Sequence, residues 1–392
     1  EDGAHTLLIN SAKVENLIRE LDALKNEIVQ ADSKKLNRFI LRNNLLNPLK
    51  PKPLALLKTP LLSVKAKYQF FSEILRKKQA VDSNLSLYDF FTKHFGNECS
   101  DYLLDPFIAG TYAGDPKKLS AKHTFPNLVK ASESNGSIIR SLISNKNKFK
   151  NKIISFKEGL AQLPIALSQS LKQKPMTMTR ILQITQENQR WNIQFQIGDN
   201  KTQDTSYDAV YSTIPGHKNH TLPLFESAKN DLPDFRSIEH PPVTVLSLGF
   251  HSDQFKKPLS GFGYLVPSKE KQDYLGVLYT SSIFENRAPK NQTLLTVFIG
   301  GSRNPDMTSL SQSELIASLY PKIQKCLHIQ GPPVFSYSRY WEHSIPQYSI
   351  NYDKIIEQIH YFENKYPNFY LSGNYRHGIA LGDCFSDFQD PI

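Results

Sequence analysis

The segment from Asp105 to Pro116 is apolar and is interrupted twice by glycine. Gly110 and Gly114 stand four positions apart, with Tyr112 between them. Glycine has no Cβ, so the backbone at such a position can come close to another backbone or to a flat ligand. The same pattern, closed by Gly-Asp-Pro, is also typical of a turn between two helices. The residues alone therefore leave two interpretations open, a ligand contact made by bare backbone and a turn.

No strong general base accompanies this segment. Asp115 and Glu158 are candidates by residue type, but their positions favour roles in a turn and at a helix start. His377 is a single histidine in a predicted loop and receives no catalytic role. The three cysteines lie far apart without a CxxC spacing, which argues against a disulfide framework or a zinc site and fits a reducing compartment.

Length and charge limit the class of protein. The chain has 392 residues, of which 39% are hydrophobic, so we expect at least two folded domains. Its 47 Lys and Arg against 37 Asp and Glu give a net charge of +10, which fits an anionic substrate or an anionic membrane surface. The basic residues are not gathered in the dense run that a nucleic-acid-binding arm shows. Between residues 50 and 78 they alternate with Leu, Phe and Tyr, which indicates a membrane-surface helix or a solvated helical face.

The periodicity of apolar residues predicts the elements that position these groups. From about Leu36 to Asn147 the spacing is helical, and prolines mark the turns. Ser11 is the predicted N-cap of an earlier helix. The remainder alternates strands with helices. The predicted strands are 191–197, 208–214, 243–250, 264–266, 275–279, 294–299 and 369–371, and the predicted helices start near Leu163 and Leu315.

Six segments, taken in chain order, resemble the FAD-dependent porphyrinogen oxidases of haem biosynthesis, which comprise protoporphyrinogen and coproporphyrinogen oxidases. They are Asp105–Pro116, Phe156–Pro164, Gly261–Glu270, Phe284–Pro289, Phe298–Asn304 and Gly373–Cys384. Each segment is a weak signal alone, but their order and their spread over nearly the whole chain make the resemblance specific. The middle segments, such as GFGYLVPSKE at 261–270, are more typical of porphyrinogen oxidation than of flavin amine oxidases in general.

One departure from the family's pattern concerns the dinucleotide-binding unit. The family opens with a strand, a GxGxxG turn and a helix, and this sequence contains no GxGxxG. Its first residues, Glu1 to Ala4, resemble a segment that follows that unit, with Ala4 where proline is usual. We therefore expect a fragment that lacks about one βαβ unit and binds FAD weakly. The alternative is a protein that has lost its pyrophosphate site.

The resemblance implies an α/β (α+β) fold of the FAD/NAD(P)-binding, amine-oxidase-like type. Such a fold has a discontinuous FAD domain, a substrate domain built on a mixed sheet, and a helical domain that can face a membrane. The implied boundaries are 1–32, 151–218 and 341–392 for the FAD domain, 33–150 for the helical domain, which also lines the substrate pocket, and 219–340 for the substrate domain.

Four substrate-binding residues are implied by the same resemblance. Arg38 matches the family segment whose arginine binds a propionate, and a guanidinium pairs with a carboxylate through two parallel hydrogen bonds. Leu265 and Phe298 match the apolar pair that holds one pyrrole ring from both faces. Gly110 would place bare backbone beside the macrocycle edge from which hydride leaves. The alternatives are an exposed arginine, ordinary strand core and a turn.

Six cofactor-binding residues are implied as well, and no metal site. They are Ile181, Trp341, Gly378, Ile379, Ala380 and Leu381. The last four match the segment whose backbone meets the flavin ring at a helix start, where the helix N-terminus stabilises negative charge on the reduced flavin. Trp341 is expected near the flavin, with a core tryptophan as the alternative, and Ile181 is expected to touch the adenine.

The implied activity is the FAD-dependent oxidation of a porphyrinogen, protoporphyrinogen IX or coproporphyrinogen III, to the porphyrin, with O2 as acceptor. The expected location is the cytoplasm, with a peripheral contact to the cytoplasmic membrane. No nucleic-acid partner is expected, and a homodimer stays an open alternative. Two other functions also stay open, a flavin amine oxidase acting on amines and a non-catalytic tetrapyrrole-binding protein.

Overall fold

The computed structural model describes residues 2–31, 37–50, 53–144 and 152–385. The implied domain boundaries at 32/33, 150/151 and 392 lie outside these residues. The helices are α1 (Ala12–Glu20), α2 (Val64–Ser72), α3 (Leu87–Phe95), α4 (Asn97–Cys99), α5 (Asp105–Tyr112), α6 (Ala121–Thr124), α7 (Pro126–Asn135), α8 (Ile138–Ser144), α9 (Gln162–Ser170), α10 (Glu226–Asn230), α11 (Thr280–Ile283), α12 (Gln312–Leu327), α13 (Asp353–Lys365) and α14 (Leu381–Cys384).

The strands form one large mixed sheet and three small sheets. They are β1 (Leu7–Ile9), β2 (Ile28–Gln30), β3 (Arg38–Arg42), β4 (Leu45–Leu49), β5 (Lys152–Phe156), β6 (Thr179–Glu187), β7 (Arg190–Ile197), β8 (Gln203–Tyr207), β9 (Val210–Ser212), β10 (Val243–His251), β11 (Gly263–Leu265), β12 (Gly276–Leu278), β13 (Gln292–Gly300), β14 (Phe335–Trp341) and β15 (Phe369–Leu371). The large sheet has the order β14-β10-β13-β12-β11-β3-β4, and only its β11–β3 pair is parallel.

The large sheet is covered on both faces, which explains its apolar strands. On one face Tyr264, Val277 and Val297 pack with α12 in a single buried cluster. The helix contributes the residues that recur every four positions, Leu315, Leu319, Ile323 and Leu327. On the opposite face, Val243, Val245 and Leu275 pack against Ala109 and Ala113 at the C-terminal half of α5. Helix α5 therefore lies across the sheet face that carries Leu265 and Phe298.

The prediction that the region from Leu36 onward is mainly helical is wrong for its first part. Arg38–Arg42 and Leu45–Leu49 pair as an antiparallel hairpin, and the hairpin extends the large sheet through β3. Asn43 and Asn44 form its turn with φ of 53° and 61°, as a two-residue hairpin turn requires. The strand keeps Leu41 in the core beneath α12, so a tertiary contact decides the conformation of this short apolar run.

The turn interpretation of the Asp105–Pro116 segment is also wrong for its first eight residues. Asp105–Tyr112 is helical, and a π-helical stretch at Ser100–Leu104 precedes it directly. The chain leaves the helix at Ala113, which has a left-handed φ of 50°. Gly110 is therefore inside a helix, where its lack of a side chain serves packing.

Most of the other predicted elements are confirmed. Ser11 caps α1 by accepting a hydrogen bond from the Val14 backbone N–H. The predicted strand 369–371 is present without change, and the predicted strands 191–197, 243–250 and 294–299 differ from the observed ones by at most two residues at each end. Strand 208–214 shortens to Val210–Ser212, which pairs in parallel with β15.

The three small sheets contain the remaining strands, including those of the N-terminal segment. Strand β5 lies between β1 and β2, and α1 and α9 pack onto this sheet. The parallel pair β9–β15 packs against α13 in another cluster. Strands β6, β7 and β8 form an antiparallel meander. Gly382 of α14 lies against the Leu8 carbonyl of β1, so the C-terminal loop reaches the first sheet.

Candidate active site

Leu265, Gly276 and Phe298 lie side by side on three neighbouring strands. The antiparallel registers pair Leu265 of β11 with Gly276 of β12, and Gly276 with Phe298 of β13. Directly paired residues present their side chains to the same face of a sheet. Gly276 has no side chain and is buried, because the Leu265 Cδ2 methyl lies over it, 3.2 Å from where a Cβ would stand, while the side chains of Leu265 and Phe298 are partly exposed. We call this arrangement of the three residues the apolar slot.

Gly110 of α5 faces one wall of the apolar slot. A Cβ added at Gly110 would overlap with the Leu265 Cδ2 methyl group, so the helix and Leu265 are in direct contact. Gly110 is nonetheless exposed on its other side, and Thr111 beside it is exposed too. One side of Gly110 is thus in close contact with Leu265 and the other is exposed to solvent, as expected for a residue at the edge of a ligand site.

Arg38 lies on the same face of the large sheet as the apolar slot. It pairs with Gly263 in the parallel β3–β11 register, and Ile40, two residues further along β3, pairs with Leu265. The guanidinium carbon lies 5.0 Å from the centroid of the Phe262 ring, which holds the side chain by a cation–π contact. Burial lowers the pKa of Arg38, but an arginine side chain keeps its charge at neutral pH.

The N-terminal segment closes the slot beside Phe298. The His5 ring is 8% exposed and meets the Phe298 ring edge-on, with centroids 6.2 Å apart. Trp341, at the end of β14, donates a hydrogen bond from Nε1 to the Asp2 carbonyl at 2.7 Å. Since the Trp341 side chain is 38% exposed, the interpretation of this residue as core is wrong.

The loop from Gly378 to Leu381 leads into α14. Gly378 has a φ of 147°, and a Cβ there would overlap with the Asp383 carboxylate. Asp383 in turn accepts a hydrogen bond from Asn10 Nδ2 at 3.0 Å, which ties the loop to the first sheet. The predicted helix start is therefore present, with Ala380 as its N-cap residue.

Ile181 lies in a different part of the fold. It belongs to the β6–β7 meander, at the point where the register shifts, and its side chain is 41% exposed. The residue is available to a ligand from the solvent side. Its strand pairs with β7, away from Trp341 and from the 378–381 loop in the sheet order.

A buried ion pair fixes α5 relative to the slot. Asp105, at the start of α5, accepts a hydrogen bond from the Ser268 backbone N–H at 2.7 Å and from Arg303 at 3.1 Å. Arg303 also donates to the Val266 carbonyl at 2.7 Å, next to Leu265. Burial raises the pKa of Asp105, and the Arg303 charge opposes that rise. The pair therefore holds the helix that carries Gly110 onto the strand that carries Leu265.

Of the two predicted acid and base candidates, Asp115 has a structural role and Glu158 has no recorded side-chain contact among the described residues. Asp115 accepts a hydrogen bond from the Lys117 backbone N–H, which closes a turn, and Glu158 is exposed. Within the described ranges, no three His, Cys, Asp or Glu side chains are placed to hold a metal ion.

Sequence reasoning missed three parts of this site. Gly276 could have been found as a glycine inside the predicted strand 275–279, which is a signal of close approach. No sequence signal pointed to His5, or to the pairing of Asp105 with Arg303, because long-range contacts bring these residues into place.

Several features of the site match what a flavin needs. The 378–381 loop presents bare backbone at a glycine whose positive φ excludes a side chain, and the partly exposed indole of Trp341 stands by the N-terminal segment. The parallel strands β9 and β15 end at Ser212 and Leu371, and loops at the carboxyl ends of parallel strands are the usual place for a nucleotide cofactor. These residues fit the ring end of a flavin.

Comparison with known proteins identifies the family. The model of the flavin containing amine oxidoreductases matches residues 1–385. The chain is 33% identical to protoporphyrinogen oxidase 2 of Arabidopsis thaliana, over 97% of this chain and 81% of that protein. It is 25% identical to coproporphyrinogen III oxidase of Staphylococcus aureus, over 84% of this chain and 72% of that protein.

A solved structure shows the same fold. The crystal structure of a candidate protoporphyrinogen oxidase from Exiguobacterium sp. 255-15 superposes with a TM-score of 0.76 at 20% identity, over 98% of this chain and 85% of that one. The mixed sheet, the helices that cover it and the match along the whole sequence agree with each other. The chain therefore belongs to the family of flavin-containing amine oxidoreductases, whose cofactor is FAD.

Proposed function

We propose that this protein oxidises a porphyrinogen, protoporphyrinogen IX or coproporphyrinogen III, to the corresponding porphyrin in haem biosynthesis. The observation that carries the proposal is the apolar slot with a cation on the same face of the sheet. The partly exposed side chains of Leu265 and Phe298 flank Gly276, and Arg38 is two residues along β3 from Ile40, which pairs with Leu265. A tetrapyrrole offers flat rings and propionates, which are the two chemical groups that such a surface would bind.

Each residue of the site has a defined task in this reaction. Arg38 would pair with a substrate propionate, and its contact with Phe262 keeps the guanidinium oriented. Leu265 and Phe298 would hold one pyrrole ring and exclude water from it. Gly110 would let the macrocycle edge approach α5. The chemistry that FAD supplies when bound is acceptance of a hydride from a carbon of the macrocycle, and O2 is the proposed final acceptor.

The proposed cofactor contacts are the ones implied by the sequence. Gly378, Ile379, Ala380 and Leu381 would meet the flavin ring through backbone groups, and Trp341 would lie beside it. Ile181 would contact the adenine from the meander. The positive φ of Gly378 supports the first group, and the exposed fraction of Ile181, 41%, supports its availability.

We also propose the domain division 1–32, 151–218 and 341–392 for FAD, 33–150 for the helical domain, and 219–340 for the substrate. The hairpin β3–β4 gives the proposed helical domain a part in the substrate sheet. Arg38, although early in the chain, thereby reaches the substrate side.

A peripheral membrane contact is proposed for α2 and the residues after it. Val64, Tyr68 and Leu75 are 84%, 76% and 78% exposed. Lys65 and Lys67 lie on the same helix, which favours an anionic surface. Phe70, an aromatic residue of the same helix, is buried among the helices with Phe90, Phe95 and Ile108 and cannot share this contact. None of the described helices combines the length and the apolar character needed to cross a membrane. A cytoplasmic location is proposed from the cysteine spacing.

The test is an aerobic assay of the FAD-loaded chain with protoporphyrinogen IX, coproporphyrinogen III and a set of primary amines. Porphyrin fluorescence from one of the first two substrates is the expected result. Oxidation of amines alone would replace the proposal with an amine oxidase. Porphyrin binding without turnover in a protein that holds FAD would leave only a tetrapyrrole-binding role.

A further inference from the structure

A cleft of about 670 Å³ lies outside the apolar slot, between the turn after β9, the segment before β10 and the loop after β13. We call it the histidine cleft, because His217, His240 and His343 all line it. Lys118 and Arg236 are exposed at its walls. None of the four residues of the substrate site, and none of the proposed flavin contacts, lines this cleft.

The three imidazoles are in contact with one another. The His217 ring centroid lies 4.4 Å from that of His343 and 5.1 Å from that of His240. His240 donates its Nδ1 proton to the Ile238 carbonyl, at 2.9 Å, so its Nε2 carries the lone pair in the neutral ring. His217 Nδ1 is buried and finds no hydrogen-bond partner in the part of the chain that the structure describes.

A metal ion does not explain this cluster. Three histidines could in principle bind a transition metal through ring nitrogens. Within the described ranges, however, no three candidate side chains are placed to hold an ion. The rings stack and tilt against one another instead of converging on a point, with 33° between the planes of His217 and His343.

The charges around the cluster favour an anion. The groups that face it are Lys118, Lys218, His220, Arg236, Glu239 and Glu342. Only two of these are acidic. Burial, and then repulsion from His240 and His343, lowers the pKa of His217 to about 4, and Glu342 opposes the shift only in part. A bound anion would offset that repulsion and bring protons onto the rings.

We infer that the histidine cleft binds a small polyvalent oxyanion, a phosphate or a polycarboxylate, and takes up protons when it does so. Its volume is within the usual range of small-molecule sites. Arg236 and Lys118 would contact the oxygens, and the imidazoles would donate hydrogen bonds once protonated. This site is independent of the proposed porphyrinogen oxidation.

The test is an NMR titration of the full chain, labelled at histidine Cε1, with sulfate at pH 5.5 and at pH 8.0. Sulfate keeps its two charges across this range, so any pH dependence belongs to the protein. Saturable shifts of the His217, His240 and His343 signals are expected, with an affinity at least tenfold higher at pH 5.5. Citrate and pyrophosphate, compared at pH 6.0, then identify whether carboxylate or phosphate is preferred.

Matched variants locate the site. Arg236→Ala and His343→Gln change exposed residues and should each weaken sulfate binding at least fivefold at pH 5.5, whereas Lys257→Ala, an exposed lysine away from the cleft, should not. Equal binding by all variants would overturn the inference. So would the absence of saturable shifts at pH 5.5 in a folded protein.

Discussion

Gly110 of α5 packs directly against the Leu265 side chain of β11, so closely that a single methyl group added at Gly110 would overlap with Leu265 Cδ2. Leu265 is at the same time one wall of the apolar slot. The helix position and the shape of the proposed substrate site are therefore coupled through one contact.

Gly110→Leu should reduce porphyrinogen turnover at least 100-fold. The added Cβ overlaps with Leu265 Cδ2, so the substitution must displace the Leu265 side chain. Stability should change by only about 1–2 kcal/mol, because the gain in helix propensity over glycine partly offsets the overpacking. Steady-state kinetics and urea unfolding measure the two effects.

Thr111→Ala is the control for this variant, since Thr111 is exposed on the same helix, next to Gly110. A Gly110→Leu protein that keeps normal turnover would show that the helix edge is not part of the substrate site.

Arg38→Ala should raise KM for a porphyrinogen about 10- to 100-fold with a smaller effect on kcat, because a charge-assisted hydrogen bond contributes about 1.5–3 kcal/mol. Arg38→Lys should recover only part of this, since an ammonium cannot pair with a carboxylate through two parallel bonds. Arg180→Ala, which removes an exposed arginine from the meander, serves as the control. Unchanged KM in Arg38→Ala would remove this residue from the propionate site.

Arg303→Met should destabilise the protein by about 3–5 kcal/mol, because it leaves the Asp105 carboxylate buried without its cation. The double variant Asp105→Leu with Arg303→Met should recover much of the stability. It should not recover turnover, because Ser268 and Val266 lose the contacts that hold α5 on the sheet. Urea unfolding of the four proteins gives the coupling energy, and purely additive losses would contradict the structure.

Glu73→Ala should lower the free energy of unfolding by about 3 kcal/mol, so the helical region should unfold at a lower denaturant concentration. The buried Glu73 carboxylate accepts hydrogen bonds from the Ile138 and Ile139 backbone N–H groups, from Ser137 and from His94. Burial alone would raise the pKa of Glu73, but these hydrogen bonds outweigh it and lower the pKa. Removing the acceptor leaves buried donors unsatisfied.

The exposed Glu133 provides the matched variant, and Glu133→Ala should change the free energy of unfolding by less than about 0.5 kcal/mol. Similar losses in the two variants would mean that the buried network contributes little.

Stability should fall as the pH is lowered from about 6.5 to about 4, in part through His217. The pKa of this ring is about 4 in the folded protein and near 6.5 when unfolded, so the unfolded chain binds the proton first across this window. His217→Gln should flatten the pH dependence of the urea midpoint between pH 4.5 and 6.5 and leave it unchanged above pH 7.5. An unaltered slope would show that the ring is solvated in the folded state.

Local patterns predicted much of this fold. The alternation of apolar and polar residues in β7 and the apolar runs of β10 and β13 predicted these strands. The helical spacing of apolar residues from Leu315 predicted α12. The β3–β4 hairpin was not predicted, because its apolar run is short. The run adopts a strand conformation because β3 pairs with β11, which lies more than 200 residues away in the chain. The helical conformation of Gly110 was not predicted, because glycine has a low helix propensity. The contact with Leu265 explains why a glycine stands at this position of the helix.

The candidate site was predictable only where a motif marked it. Leu265 and Phe298 came from the resemblance, and the structure places them in one row. The role of Ile181 remains a prediction. The histidine cleft joins residues separated by more than a hundred positions, which no spacing rule can detect.

Gly276 has a consequence for how the ligand preference of this site can change. The frame of the apolar slot consists of backbone hydrogen bonds between β11, β12 and β13, and neighbouring strands lie about 4.8 Å apart, so the backbones of Leu265 and Phe298 are held about 10 Å from each other. Substituting either side chain changes the apolar surface beside Gly276 while this frame stays fixed. The ligand preference of the proposed site is thus adjustable at two positions without any rearrangement of the sheet.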